Sequence, residues 1–134
     1  MGYTHYWNKQ KELPQNKWDA FIEDAKIILI HETQAQELLC SEYDKMDTPP
    51  VIDKDTVRFN GKDNEGHETF YFTRVASDEF SFCKTAYKPY DKYVVRVLLL
   101  AEKHFGKCIE VSSDGDWDKI RRETLYEEVQ NVGV

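Results

Sequence analysis

No stretch of this chain approaches the roughly 18 consecutive apolar residues that a membrane span needs. The longest apolar runs, Ile27 to Ile30 and Val94 to Ala101, stop far short of that length, so a spanning helix is excluded. Cysteine is scarce: Cys40, Cys83 and Cys108 are odd in number and form no C-x-x-C pair. They read as reduced, partly buried thiols, and a zinc site is not expected. The four histidines, His5, His31, His67 and His104, have no metal-ligand spacing either. Basic residues are outnumbered, 18 against 25 acidic, which gives a formal net charge of −7. An acidic surface repels a phosphate backbone, so general nucleic-acid binding is disfavoured. The N-terminus has no basic segment followed by an apolar run, so no signal peptide is expected. Gly2 suggests a myristoylation signal, but Tyr6 stands where that signal needs Ser or Thr.

What remains is a chain suited to one globular domain. Its 134 residues match a common domain size, and 40% hydrophobic content with 13% aromatics suffices for a core. There is no internal repeat and no low-complexity segment. Alternation over Tyr3 to Trp7 predicts a short strand, with Tyr3, His5 and Trp7 on one face and Thr4 and Tyr6 on the other. Pro14 then precedes a helix in which Trp18, Phe21, Ile22, Ala25, Ile28 and Leu29 recur at helical spacing. That pattern fades between His31 and Leu39, and Ser41 to Lys54, with Pro49-Pro50, reads as a loop. Thr56 to Asn60 and Glu68 to Val75 predict two strands joined by the turn-forming Gly61 to Gly66. Phe80 to Thr85 either extends the second of these past a break at Ser77-Asp78 or forms a short strand of its own. Pro89 fits the first turn of a central helix carrying Tyr93, Val94, Val97, Leu98, Ala101 and Phe105, which Gly106 ends. Cys108 to Ser112 predicts a strand with Ile109 and Val111 inward. Ser113 with Asp116 resembles a capping box opening a last helix, whose apolar positions are Trp117, Ile120, Leu125 and Val129.

The order β-α-β-β-α-β plus a helix predicts an α+β fold. Right-handed crossovers make it ferredoxin-like: one four-stranded antiparallel sheet of order 4-1-3-2, two helices on one face, and an additional C-terminal helix. In that arrangement three distant polar clusters reach one edge. They are Gly2-Tyr3-Thr4-His5-Tyr6-Trp7, Phe82-Cys83-Lys84-Thr85 with Lys88-Pro89-Tyr90-Asp91, and Ser112-Ser113-Asp114-Gly115-Asp116-Trp117. The candidate ligand-binding set is therefore Tyr3, His5, Lys84, Thr85, Lys88, Asp91, Ser112, Ser113, Asp114 and Asp116. Two lysines, several hydroxyls and two helix N-termini suit a phosphate or carboxylate. The competing expectation is that these residues are caps and turn formers.

Other chemistry was weighed against the same residues. His5 could serve as a general base oriented by Asp114 or Asp116, but no Ser or Cys nucleophile stands in its usual local motif. Asp114, Asp116 and Asp118 alternate like the start of a calcium loop. Such a loop needs Gly at its sixth position and Glu at its twelfth, where Lys119 and Leu125 stand, so calcium is rejected. No metal or cofactor is expected. Aromatic strands in this topology are similar to an RNA-recognition sheet, with Tyr71 and Tyr6 or Trp7 as stacking residues. The basic-aromatic signature of that module is absent, and the last helix is a candidate cover for the open sheet face.

The three polar clusters resemble an uncharacterised family of small proteins of bacteriophages and prophages, and the resemblance runs nearly end to end. It implies a setting, the host cytoplasm, and an accessory role such as countering host defence. Three functions follow as expectations. The first is binding of an anionic small molecule of the nucleotide kind, or of a host protein. The second is a small enzyme acting on a phosphate ester or nucleotide, with His5 and Asp114 or Asp116 as acid-base groups. The third is a protein-protein inhibitor with an acidic surface. The sequence sets neither the ligand nor the oligomeric state.

Overall fold

Strand β1, Thr4–Lys9, is the axis on which the site is built. In the computed structural model, which describes residues 2–132 and the side chains of 2–125, it runs antiparallel to two neighbours. On one side lies β6, Phe80–Lys84, with Thr4 opposite Lys84 and Tyr6 opposite Phe82. On the other lies β7, Ile109–Ser113, with His5 opposite Ser113 and Trp7 opposite Val111. The expected pairing of the first strand with the strand of Ile109 and Val111 is present. Helix α3, Asp91–Phe105, connects β6 to β7, so β1 lies between the strands that this crossover joins.

A second sheet lies beside the first. Its centre is β4, Thr56–Gly61, which pairs with β2 at Leu39–Cys40, β3 at Val51–Ile52 and β5 at Phe70–Thr73, all antiparallel. The single four-stranded sheet is thus corrected. The expected third strand is divided: β5 pairs with β4, while β6 pairs with β1. Between them Arg74, Val75 and Ala76 lie against Lys11, Glu12 and Leu13, through Leu13 N–H to Arg74 O, Ala76 N–H to Lys11 O and the Glu12–Val75 bridge. The break at Ser77-Asp78 is where the chain changes sheets. The segment Ser41 to Lys54, expected to be a loop, contains a strand near its end. Val51 and Ile52 are half-buried against β4, a pairing that two residues cannot signal in sequence.

Helix α1, Gln15–Lys26, buries Trp18, Phe21, Ile22 and Ala25, the apolar stripe its spacing predicted. It widens into a π turn over Ile27–His31, and the short helix α2, Thr33–Leu38, follows. Helix α3 buries Tyr93, Val94, Val95, Val97, Leu98, Ala101 and Phe105, and Gly106 ends it at φ 51° and ψ −117°, a positive-φ conformation open to glycine but outside the left-handed helical region of the expected cap. Pro89 stands in the turn before this helix rather than in its first turn. The core is densely aromatic. Trp18 stacks on Phe72 at 5.8 Å, and Phe21 meets Phe105 at 5.1 Å. Phe59, Phe70 and Phe72 are fully buried, as expected. Helix α4, Trp117–Val132, packs on α3, where Trp117 Nε1–H and Arg121 both donate to Glu102. The expected cover over the open sheet face is therefore absent. Leu125, expected inward, is 47% exposed, and the side chain of Val129 lies outside the described residues. No described helix is long and apolar enough to cross a membrane.

Candidate functional site

Alternation along β1 sends Tyr3, His5 and Trp7 inward together. His5 has no exposed surface, yet both of its ring nitrogens have partners. Nε2 lies 2.7 Å from Asp91 Oδ1, at the first residue of α3, and Nδ1 lies 2.9 Å from Ser113 Oγ, at the end of β7. A carboxylate only accepts, so the Nε2 proton points at Asp91, while Nδ1 and Ser113 Oγ share a hydrogen bond whose donor depends on the protonation of the ring. Thr85 Oγ1–H also donates to Asp91 Oδ1 at 2.5 Å, and Gly115 N–H donates to Ser113 Oγ at 3.1 Å. Three remote segments, β1, the start of α3 and the end of β7, are thereby fastened by one ring. A buried polar side chain costs free energy unless its hydrogen bonds are made, and here they are.

Around this network the packing is tight. Tyr3 meets His5 edge-on at 5.0 Å, and Trp117 meets it from another side at 5.9 Å. A methyl group on Gly115 would lie 3.0 Å from Tyr3 Oη, so glycine leaves room for that hydroxyl. Burial raises the Tyr3 phenol above its ordinary value, with the Asp91 charge adding to it. Tyr87 stacks flat on Tyr3 at 3.8 Å while 70% exposed. Tyr87 and Ala86 both adopt positive φ, 59° and 52°, a conformation that bulky residues rarely take. Two N–H groups, of Thr85 and Ala86, donate to the same Tyr3 carbonyl and hold that bend in place.

The predicted residues do not all share this cluster. Tyr3, His5, Thr85, Asp91 and Ser113 do. Asp114 sits on the opposite face of the sheet, where it accepts from Thr4 N–H at 3.1 Å and Tyr6 Oη–H at 2.7 Å, and its charge raises the Tyr6 phenol. Ser112 and Lys84 project to that same outer face by strand alternation. Asp116 caps α4 by accepting from Lys119 N–H at 3.2 Å, so it rather than Ser113 is the helix cap. Neither Asp114 nor Asp116 orients His5; Asp91 does. Lys88 is half-exposed in the turn before α3, where its N–H donates to Thr85 O.

Asp91 and Tyr3 also line a groove of about 750 Å³ among α1, its π turn, α3 and α4. Its lining mixes apolar side chains (Ile27, Ile28, Val95, Leu100, Ile120) with Lys92, Arg96 and Lys103 and the acids Asp24, Glu32 and Glu123. Arg96 lies 3.0 Å from Glu32, and Lys92 Nζ donates to Gln34 at 2.5 Å. The candidate set drawn from the sequence left out Arg96, Glu32 and Gln34, and Lys92 as well, although Lys92 continues the basic run of Lys84 and Lys88. The available signal was that Lys92 and Arg96 are four apart on a helix, hence on one face, near the end where Asp91 stands. A second missed group is Asn60, whose side chain accepts from Gly61 N–H and His67 N–H and donates to His67 O and Thr69. It locks the β4–β5 connection. Glu68 in turn accepts Lys84 N–H at 2.6 Å, and the buried Tyr90 hydroxyl donates to its carbonyl. Burial pushes the Cys83 thiol up to about 12 against the opposing hydrogen bond of Tyr90, which disfavours the thiolate that a nucleophile needs. Among the described residues no group of three His, Cys, Asp or Glu side chains is placed to hold a metal ion.

Comparison with protein-family models, with curated proteins and with solved structures finds no match to this chain.

Proposed function

We propose that this chain is a small phage or prophage accessory protein of the host cytoplasm that binds an anionic, nucleotide-like ligand and thereby modulates host defence. The ligand lies in the groove headed by Tyr3 and Asp91. The observation that carries this is the groove itself, whose volume falls within the roughly 300–1,000 Å³ of small-molecule sites. It offers apolar side chains for a flat ring system, Lys92 and Arg96 for an anionic group, and the carboxylates of Asp91 and Glu32 for hydroxyl or amine donors. In this reading the His5 network holds Asp91 in position rather than reacting. The architecture is read as a ferredoxin-like βαββαβ core whose third strand is split between two sheets.

A phosphate-ester or nucleotide enzyme is the second reading, because Ser113, His5 and Asp91 form a continuous hydrogen-bonded chain. Against it, His5 is fully buried and neither His5 nor Ser113 lines the groove. A purely surface-acting inhibitor would make no use of the groove.

Calorimetric titration with a panel of mono-, di- and cyclic nucleotides tests the binding reading. The wild type should bind at least one of them, and Lys92→Ala with Arg96→Ala should weaken it tenfold or more. Lys84→Ala with Lys88→Ala should leave that affinity intact, since neither lines the groove. Loss in the second pair with retention in the first moves the site out of the groove. No heat from any nucleotide at millimolar concentration sinks the anionic-ligand reading, and turnover of one of them that Ser113→Ala abolishes replaces it with the enzyme.

A further inference from the structure

Among the described residues no helix packs on the outer face of the β6-β1-β7 sheet, and its centre is aromatic. Tyr6 lies across from Phe82, and Phe80 stands two residues further along β6; the two phenylalanines are 53% and 50% exposed. The rings already touch, with centroids 6.1 Å apart for Tyr6–Phe80 and 6.2 Å for Phe80–Phe82. Open faces of antiparallel sheets are ordinarily polar, so a cluster like this marks a contact surface. The charges around it are ordered too. Lys84, Thr4 and Asp114 form one row across the three strands, with the cation at the β6 side and the acid at the β7 side. Two rows on, Phe80, Asn8 and Glu110 form another.

We propose that a second copy of this chain docks on this face, about a two-fold axis running along β1. Rotation about that axis keeps height along the strands and exchanges β6 with β7. Lys84 of each copy then faces Asp114 of the other, two ion pairs in all, and Tyr6 meets Tyr6 on the axis. A two-fold across the strands instead sets Asp114 against Glu110, acid against acid, which disfavours it. Charge order therefore selects both the occupant and the orientation. Single-stranded nucleic acid also stacks on aromatic sheets, but this face carries two acids against one lysine on a chain of net charge −7. Three strands span only about 15 Å, and the face falls below the roughly 800 Å² per partner of a standard interface, so the dimer is weak and concentration-dependent. The groove lies on the inner side, so this inference is independent of the proposed ligand.

Sedimentation equilibrium of the full chain, from about 10 μM to about 1 mM, tests it, a range that spans weak dimers. A dimer should accumulate with concentration. Phe80→Ser with Phe82→Ser should weaken it at least tenfold with an unchanged circular-dichroism spectrum. Lys84→Glu, a surface change that spares the core, should weaken it as well, and added salt should weaken the wild type. A monomer throughout the range overturns the proposal, as does a dimer indifferent to Lys84→Glu and to salt. Binding of oligodeoxythymidine that is lost in the phenylalanine variant would assign the face to nucleic acid instead.

Discussion

The two faces of β1 have opposite fates. Inward, Tyr3, His5 and Trp7 are closed off and fully engaged, His5 by hydrogen bonds at both ring nitrogens and Trp7 by rings at 5.3 and 5.8 Å. Outward, Thr4, Tyr6 and Asn8 lie on a sheet face that no described helix covers, with Thr4 buried, Tyr6 half-buried and Asn8 exposed. Six residues thus carry a structural junction on one side and a free surface on the other. The difference shows that apolar content does not decide which face is buried. The outward side has two phenylalanines on β6 and the inward side has a histidine, yet the histidine is the buried one. What closes the inner face is the set of elements joined there, α3 and α4 over His5 and β5 of the second sheet over Trp7, and their reach does not extend around the sheet.

Substitutions on either side of that divide should separate sharply. The largest effect belongs to Phe72→Ala, which opens a cavity where Trp7, Trp18, Phe21 and Phe105 meet. It should cost about 3–5 kcal/mol in chemical denaturation. An unchanged midpoint would mean that the aromatic cluster is not the core. Next comes the direct contrast within β1. His5→Ala strands the Ser113 hydroxyl and removes a donor from Asp91, and should cost about 1–3 kcal/mol. Tyr6→Ala, on the open face, should cost under about 1 kcal/mol. Equal losses for the two would erase the distinction between closed and open faces.

The smallest effect is on pH dependence, and it too belongs to the inner side. The Cys83 thiol is raised by burial from the ordinary 9.0 to about 12. Burial likewise raises Tyr93, helped by Glu32, to about 12. In the unfolded chain these groups ionise near their ordinary values, while in the folded chain they stay neutral. Their contribution is therefore complete below about pH 9 and is lost as pH rises toward 12. Denaturation midpoints measured from pH 8 upward should fall across that window, and Cys83→Ala should make the fall shallower. A parallel pair of curves would show that the thiol is not desolvated.

Much of this arrangement was legible in the chain. Alternation over Tyr3 to Trp7 fixed which side chains go inward, and helical spacing fixed the buried stripes of α1 and α3, because local periodicity is itself the packing constraint. The right-handed crossover put β1 between β6 and β7, which brought His5, Asp91 and Ser113 together, with Tyr3 beside them, across a separation of 108 residues for His5 and Ser113. That inference needed only connectivity. It could not say which acid His5 meets, since Asp91, Asp114 and Asp116 all stand at the same edge. Parity then decides: Asp114 follows Ser113 on β7 and so turns to the other face, while Asp116 is drawn off to cap α4. The groove was invisible for a related reason, as its walls are assembled from α1, α3 and α4 and no local signal records how closely three helices approach.

By itself, then, the sequence determined the longer elements, the buried faces of β1, α1 and α3, and the edge where the polar residues collect, because these depend on period and chain order. Tertiary structure alone decided that the third strand splits between two sheets, that α4 leans on α3 rather than across the sheet, and that Asp91 is the partner of His5. Each of those outcomes is a competition between surfaces distant in the chain. Competition of that kind is settled by which packing buries more apolar area with every hydrogen bond made.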